Sequence, residues 1–221
     1  ESGAPRETSL AKADALYGEG RYGEAAPAYL KALETLTPKD PQYSRVVESL
    51  LFCYQTTRVY PECVALAKSR IASLEGSSSG VNLAGSGLDC SLQLPASDAG
   101  RSEAVALFAE RVRAVLADPS LSLASDDRSA LYSSLVDERE DAKDAEGARR
   151  TANAWVADLD AAAARAATPA QRTALDPNRL NAFEAAQRLD DAIPMLDQSQ
   201  KDFPQDYNPP ARLAVVYLKL K

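Results

Sequence analysis

The stretch GRYGEAAPAYLKALE, residues 20–34, sets the pattern for the whole chain. Gly20 marks a turn, and the apolar residues after it recur every three and four positions, the spacing of an amphipathic helix. Two small residues, Ala25 and Ala32, stand seven apart, with Tyr29 between them. Small residues at that spacing let a second helix approach closely, and the aromatic fills the gap to a third. Pro27 is expected in the first turn of this helix, where a missing N–H costs little.

The same arrangement returns in altered form along the chain. Cys63, Ala67 and Arg70 follow VYPE (59–62), which stands where the first copy has RYGE (21–24). Further copies are Ala104, Phe108 and Arg111, then Ala148, Ala152 and Trp155, then Ala192, Leu196 and Ser199. Their leading residues are 38, 41, 44 and 44 positions apart. Partner helices are expected upstream, at VVESLLFCY (46–54), ALYSSLVDER (130–139) and NRLNAFEAA (178–186). A last helix without a successor is expected at PARLAVVYLKLK (210–221). Breakers at TPKDP (37–41), EGSSSG (75–80), LPASDAG (94–100), ADPSLSLASDD (117–127), TPAQRTALDP (168–177) and FPQDYNPP (203–210) separate these segments. No strand alternation is present. An even helix count requires a helix over about 80–93 as well, with Leu83, Gly87, Cys90 and Leu94 on one face. The alternative is a loop through all of 77–100.

These residues resemble the tetratricopeptide repeat (TPR) family. Leu50, Leu51 and Tyr54 match its Leu-Gly-Tyr core on the first helix of a pair, and Leu213, Ala214 and Tyr217 match it again. Gly20, Tyr22, Ala25, Tyr29 and Ala32 match its second helix. The resemblance implies an all-α, right-handed α-α solenoid of antiparallel helix pairs, a TPR-like superhelix. It implies approximate repeats at 9–39, 42–76, 80–118, 126–167 and 176–206, and a lone helix at 208–221. Residues 9–221 form one repeat domain in this reading, behind a flexible tail at 1–8.

Composition narrows the function. The chain of 221 residues carries a formal charge of −7, which argues against nucleic acid, because phosphate binding needs a basic surface. No apolar run is long enough to span a bilayer. There is no histidine, so no Ser-His-Asp or Cys-His site can form within the chain, and no metal or other cofactor is expected. An enzyme is not expected. The chain opens on Glu1 and a small, polar stretch like the one left behind by a removed leader, so an exported (periplasmic or extracellular) bacterial protein is expected, with a cytoplasmic one as the alternative.

Three features remain to be placed. Cys53, Cys63 and Cys90 are read as buried thiols, as a Cys63–Cys90 bridge with Cys53 free, or as a redox site. The acidic run DEREDAKDAE (137–146) puts Asp137, Asp141 and Asp144 on one helical face, read as a solvated face rather than a calcium site. The family frame implies a groove lined by the first helix of each pair: Arg45, Glu48, Phe52 and Gln55, then Ser133, Asp137 and Glu140, then Asn181 and Glu184. Leu10 and Asp14 stand where carboxylate-clamping members carry basic residues, so a basic or mixed apolar partner is implied. The function expected is a non-enzymatic protein- or peptide-binding scaffold using that groove. The alternative is an accessory or regulatory repeat domain of a larger multidomain protein or enzyme. Leu213, Val216, Tyr217 and Leu220 on the last helix are expected to need a cover, which either further repeats of a longer array or a second copy of the chain, forming a homodimer, would supply.

Overall fold

The computed structural model describes residues 3–221, and among them there is no strand. The stretch expected as one repeat domain divides into two compact units, with the boundary between Leu121 and Ser122. The first holds α1 (Gly3–Gly18), α2 (Tyr22–Leu33), α3 (Tyr43–Thr56), α4 (Tyr60–Arg70), α5 (Ser78–Leu92) and α6 (Arg101–Ala117). The second holds α7 (Ser125–Asp141), α8 (Ala145–Arg165), the short α9 (Pro169–Thr173), α10 (Asp176–Ala185), α11 (Ala192–Asp202) and α12 (Asn208–Lys219). Within each unit, each long helix packs on the next, and the first helices of adjacent pairs also touch, α3 on α5 and α7 on α10. Each unit is therefore a stack of α-α pairs.

The pairs are closed by one repeated turn. Gly20, Arg58, Lys143 and Gln187 have φ between 59° and 75°, and each stands just past the end of the first helix of a pair. In all four, the following N–H reaches back five residues: Arg21 to Leu16 at 2.9 Å, Val59 to Tyr54 at 2.8 Å, Asp144 to Arg139 at 2.9 Å and Arg188 to Phe183 at 2.8 Å. This is the Schellman closure, which satisfies carbonyls that the helix end leaves free. The third pair departs from it. Arg101 instead donates to the carbonyls of Leu94 at 2.9 Å and Leu92 at 3.2 Å, closing α5 from a side chain.

The small residues identified in the sequence are where the helices meet. Ala25, Cys63, Ala104, Ala148 and Ala192 are all buried, as are Tyr29, Ala67, Phe108, Ala152 and Leu196. The helix expected near 80–93 is α5, and Leu83, Gly87 and Cys90 are buried on it, with Leu94 buried just past its end. Gly87 is needed there, because a Cβ at that position would lie 2.5 Å from the ring of Phe108 on α6. Cys63 and Cys90 form a disulfide between α4 and α5, with Cα atoms 6.2 Å apart. Cys53 stays free and buried, and burial pushes its thiol up to about 11. In the second unit Trp155, Leu159, Phe183, Leu196 and Val216 share one core, and the indole N–H of Trp155 donates to Ser129 Oγ at 3.1 Å.

Four expectations are corrected by the local structure. The second helix of the first pair starts at Tyr22, so Pro27 lies inside it rather than in its first turn. Both Pro27 and Gly23, whose carbonyl loses its partner there, are exposed, which makes the missing bond tolerable. The helix α1 already includes residues 3–8 of the stretch expected as a tail, there being no breaker after Pro5 in its opening turn, while residues 1 and 2 lie outside the described residues. Within TPAQRTALDP, Thr168 and Gln171 form a capping box that nucleates α9. In the acidic run α7 ends at Asp141, and Asp144 accepts from the Gly147 N–H at 2.8 Å as the cap of α8, so the three aspartates do not share one helix.

Two measurements test this architecture. Gly20→Ala is expected to cost about 1 kcal/mol, because a Cβ is strained at positive φ, whereas Lys143→Gly should gain about 0.5 kcal/mol, the relief being offset by a looser unfolded chain. Urea midpoints read both. Alkylating the denatured, unreduced chain is expected to label Cys53 alone, and reduction should then lower the stability of the first unit by roughly 3 kcal/mol, the scale for releasing a loop of this length.

Candidate functional site: a groove on the first unit

A groove crosses the first helices of three successive pairs. Tyr17 from α1, Arg45, Glu48, Ser49, Leu51, Phe52 and Gln55 from α3, and Asn82 and Ser86 from α5 line it. The four residues expected on α3 are thus brought together. Their spacing of three and four puts them on one helical face.

Polar pairs tie the floor of this groove. Arg45 holds Asp14 of α1 with two hydrogen bonds, at 2.7 and 3.2 Å, and Tyr29 donates to the same carboxylate at 2.8 Å. Burial pushes the Asp14 carboxyl up, but the bonds from Arg45 and Tyr29 outweigh it and hold it below its ordinary value. Burial and the bond to Asp14 push the Tyr29 phenol up to about 12. Asn82 of α5 donates to Glu48 Oε1 at 3.1 Å. Arg45 is therefore engaged within the fold, and its replacement by Glu would set a like charge against Asp14.

The apolar part of the site is aromatic. Phe52 is 43% exposed. Its ring lies 5.6 Å from that of Tyr17 and 5.2 Å from that of Tyr22, and Tyr17 lies 6.1 Å from Tyr29. Edge-to-face contacts of this kind are stabilising and rigid. Tyr17, Asn82 and Ser86 are not marked out by the sequence pattern, and Tyr22 is marked only as a repeat residue. Two tyrosines bracketing the turn at 18–21 are the only trace of the cluster in the sequence.

The candidates on the second unit are placed differently. Ser133, Asp137 and Glu140 lie on α7, Asn181 and Glu184 on α10. Glu140 lines a recess at the turn end with Lys143, Ala148, Arg149 and Gln187, in which the other four take no part. Partial desolvation, and then the negative charge of Glu140, hold Asp137 above the ordinary carboxylate value. Glu184 is ion-paired with Lys219 of α12 and ties α10 to α12. Asn178 of α10 donates to Asp126 Oδ1 of α7 at 2.7 Å and ties those helices. Of the residues expected to self-associate, Leu213 and Val216 are already covered by their own unit, because α12 packs on α11. Tyr217 and Leu220 stay exposed, together with Val215 and Leu218. Among the described residues no cluster of three or more Cys, Asp or Glu side chains has metal-holding geometry, and no helix is long and apolar enough to cross a membrane.

Helix pairs joined by a common turn and stacked through small residues make both units α-α helical repeats. No family model matches the chain, and no curated protein matches it. Among solved structures, a thermophilic TPR protein in Thermus thermophilus aligns over 96% of this chain and 99% of its own, at 18% identity and a TM-score of 0.49. At that level the likeness adds nothing to the packing, on which the class rests.

One buried acid lies apart from the groove. Asp176, at the start of α10, is fully buried, and both carboxylate oxygens lack a hydrogen-bond partner. Burial raises its pKa; Ser199, close by but outside hydrogen-bonding geometry, and the charges of Arg179, Arg212 and Arg172 only partly oppose this. A carboxyl raised on folding weakens the fold progressively as pH climbs from the unfolded value of 3.8 through the folded one. Asp176→Asn is therefore expected to raise the urea midpoint of the second unit at pH 7. Below the unfolded value the gain over wild type should vanish.

Proposed function

We propose that the protein is a non-enzymatic scaffold whose groove on the first unit takes a peptide segment of a partner protein. The observation that carries this reading is the exposed ring of Phe52, packed by Tyr17 and Tyr22 beside a groove whose Arg45 and Glu48 are tied to Asp14 and Asn82. A rigid aromatic platform bordered by hydrogen-bonding side chains has the makeup of a binding hot spot, since it offers contact area at little cost in side-chain entropy. The buried disulfide supports an oxidising location, and with it export, because cytosolic thiols are kept reduced.

Peptide display on the full chain tests the groove. Selected heptapeptides are expected to bind in the micromolar range and to lose about tenfold or more in affinity on Phe52→Ala, the effect of losing roughly 1.4 kcal/mol of contact. The variant should keep the thermal unfolding profile of the wild type. Peptides that bind wild type and variant within twofold of each other would overturn the reading.

A further inference from the structure

We propose that the groove on the first unit is a receptor for an arginine side chain of its partner. This rests on the peptide-binding role of that groove and specifies its ligand.

The chemistry is set by Glu48. One of its carboxylate oxygens accepts from Asn82, and no described residue donates to the other. The nearest cation on its own helix, Arg45, forms its ion pair with Asp14. Asp14, Arg45 and Glu48 together leave one net negative charge at the groove, in a chain whose formal charge is −7. That selects a cationic partner group.

The aromatic geometry then selects among cations. Glu48 and Phe52 are four residues apart on α3, on the same helical face, and Gln55 follows one turn further along the same groove. The rings of Tyr17, Tyr22 and Phe52 pack with centroids 5.2–5.6 Å apart, so nothing fits between them. They form a solid platform and not a cage, which disfavours a quaternary or methylated ammonium that needs rings on several sides. A planar guanidinium can lie over an exposed ring while its N–H groups point outward to a carboxylate. Glu48 stands at the position to receive those donors, and Gln55 offers an amide oxygen beyond. Lysine, a compact and strongly hydrated point charge, would meet the carboxylate but gain little from the platform.

The test uses fluorescein-labelled heptapeptides with leucine on either side of a central arginine, lysine, citrulline or leucine, read by fluorescence polarisation on the full chain. The arginine peptide is expected to bind about tenfold more tightly than the citrulline peptide, the scale of one desolvated cation–π and ion-pair contact. It should also surpass lysine. Glu48→Gln, which keeps an oxygen for Asn82, should bring the arginine peptide to the level of the citrulline peptide. Equal binding of arginine and citrulline, an arginine advantage that survives Glu48→Gln, or lysine matching arginine would overturn the inference. If binding still depends on Phe52 in those cases, the groove reading survives alone. If no peptide shows Phe52-dependent binding, both fail.

Discussion

A helix pair of this size cannot bury its own apolar stripe, so each pair is stable only against its neighbour. That need for close approach governs the rest of the structure. Ala25, Cys63, Ala104, Ala148 and Ala192 lead the second helices and are buried in every case. Gly87 takes the same logic further, since α5 and α6 approach so closely that even a methyl group would strike Phe108. Where Cys63 holds such a position, the close approach brings it within bonding reach of Cys90 on the next helix. The disulfide is thus a consequence of the packing as well as a support for it.

The connection between helices is equally constrained. Four of the five pairs end their first helix in the same left-handed turn, yet only Gly20 among the four residues is a glycine. Arg58, Lys143 and Gln187 adopt positive φ at a local cost because the two helices they join are already fixed by packing. The repeated turn is therefore stronger in the backbone than in the composition.

The first helices of adjacent pairs are stitched by polar side chains: Asp14 with Arg45, Glu48 with Asn82, Asp126 with Asn178, and Glu184 with Lys219. These pairs change the meaning of a groove-facing charge. Arg45 and Glu184 face the surface where a partner would be sought, but each is engaged in holding neighbouring repeats together. Glu48 is tied through one oxygen only. Phe52 keeps part of its ring exposed although the rings of Tyr17 and Tyr22 pack against it.

What the amino-acid order determined by itself was the periodicity: helices, their pairing, the small residues at their contacts, and the helix hidden in the glycine-rich stretch before Cys90. Such features follow from spacing along the chain, and spacing survives in one dimension. The face of α3 bearing Arg45, Glu48, Phe52 and Gln55 was legible for the same reason. Only the tertiary structure decided which of those side chains are engaged by a partner thirty or more residues away, that Cys63 pairs with Cys90 while Cys53 stays free, and that Tyr17 and Tyr22 join Phe52. It also decided that α12 buries Leu213 and Val216 against its own unit and leaves Tyr217 half exposed. Those outcomes depend on distances between separate helices, which are set by how the pairs stack and have no counterpart in local sequence spacing.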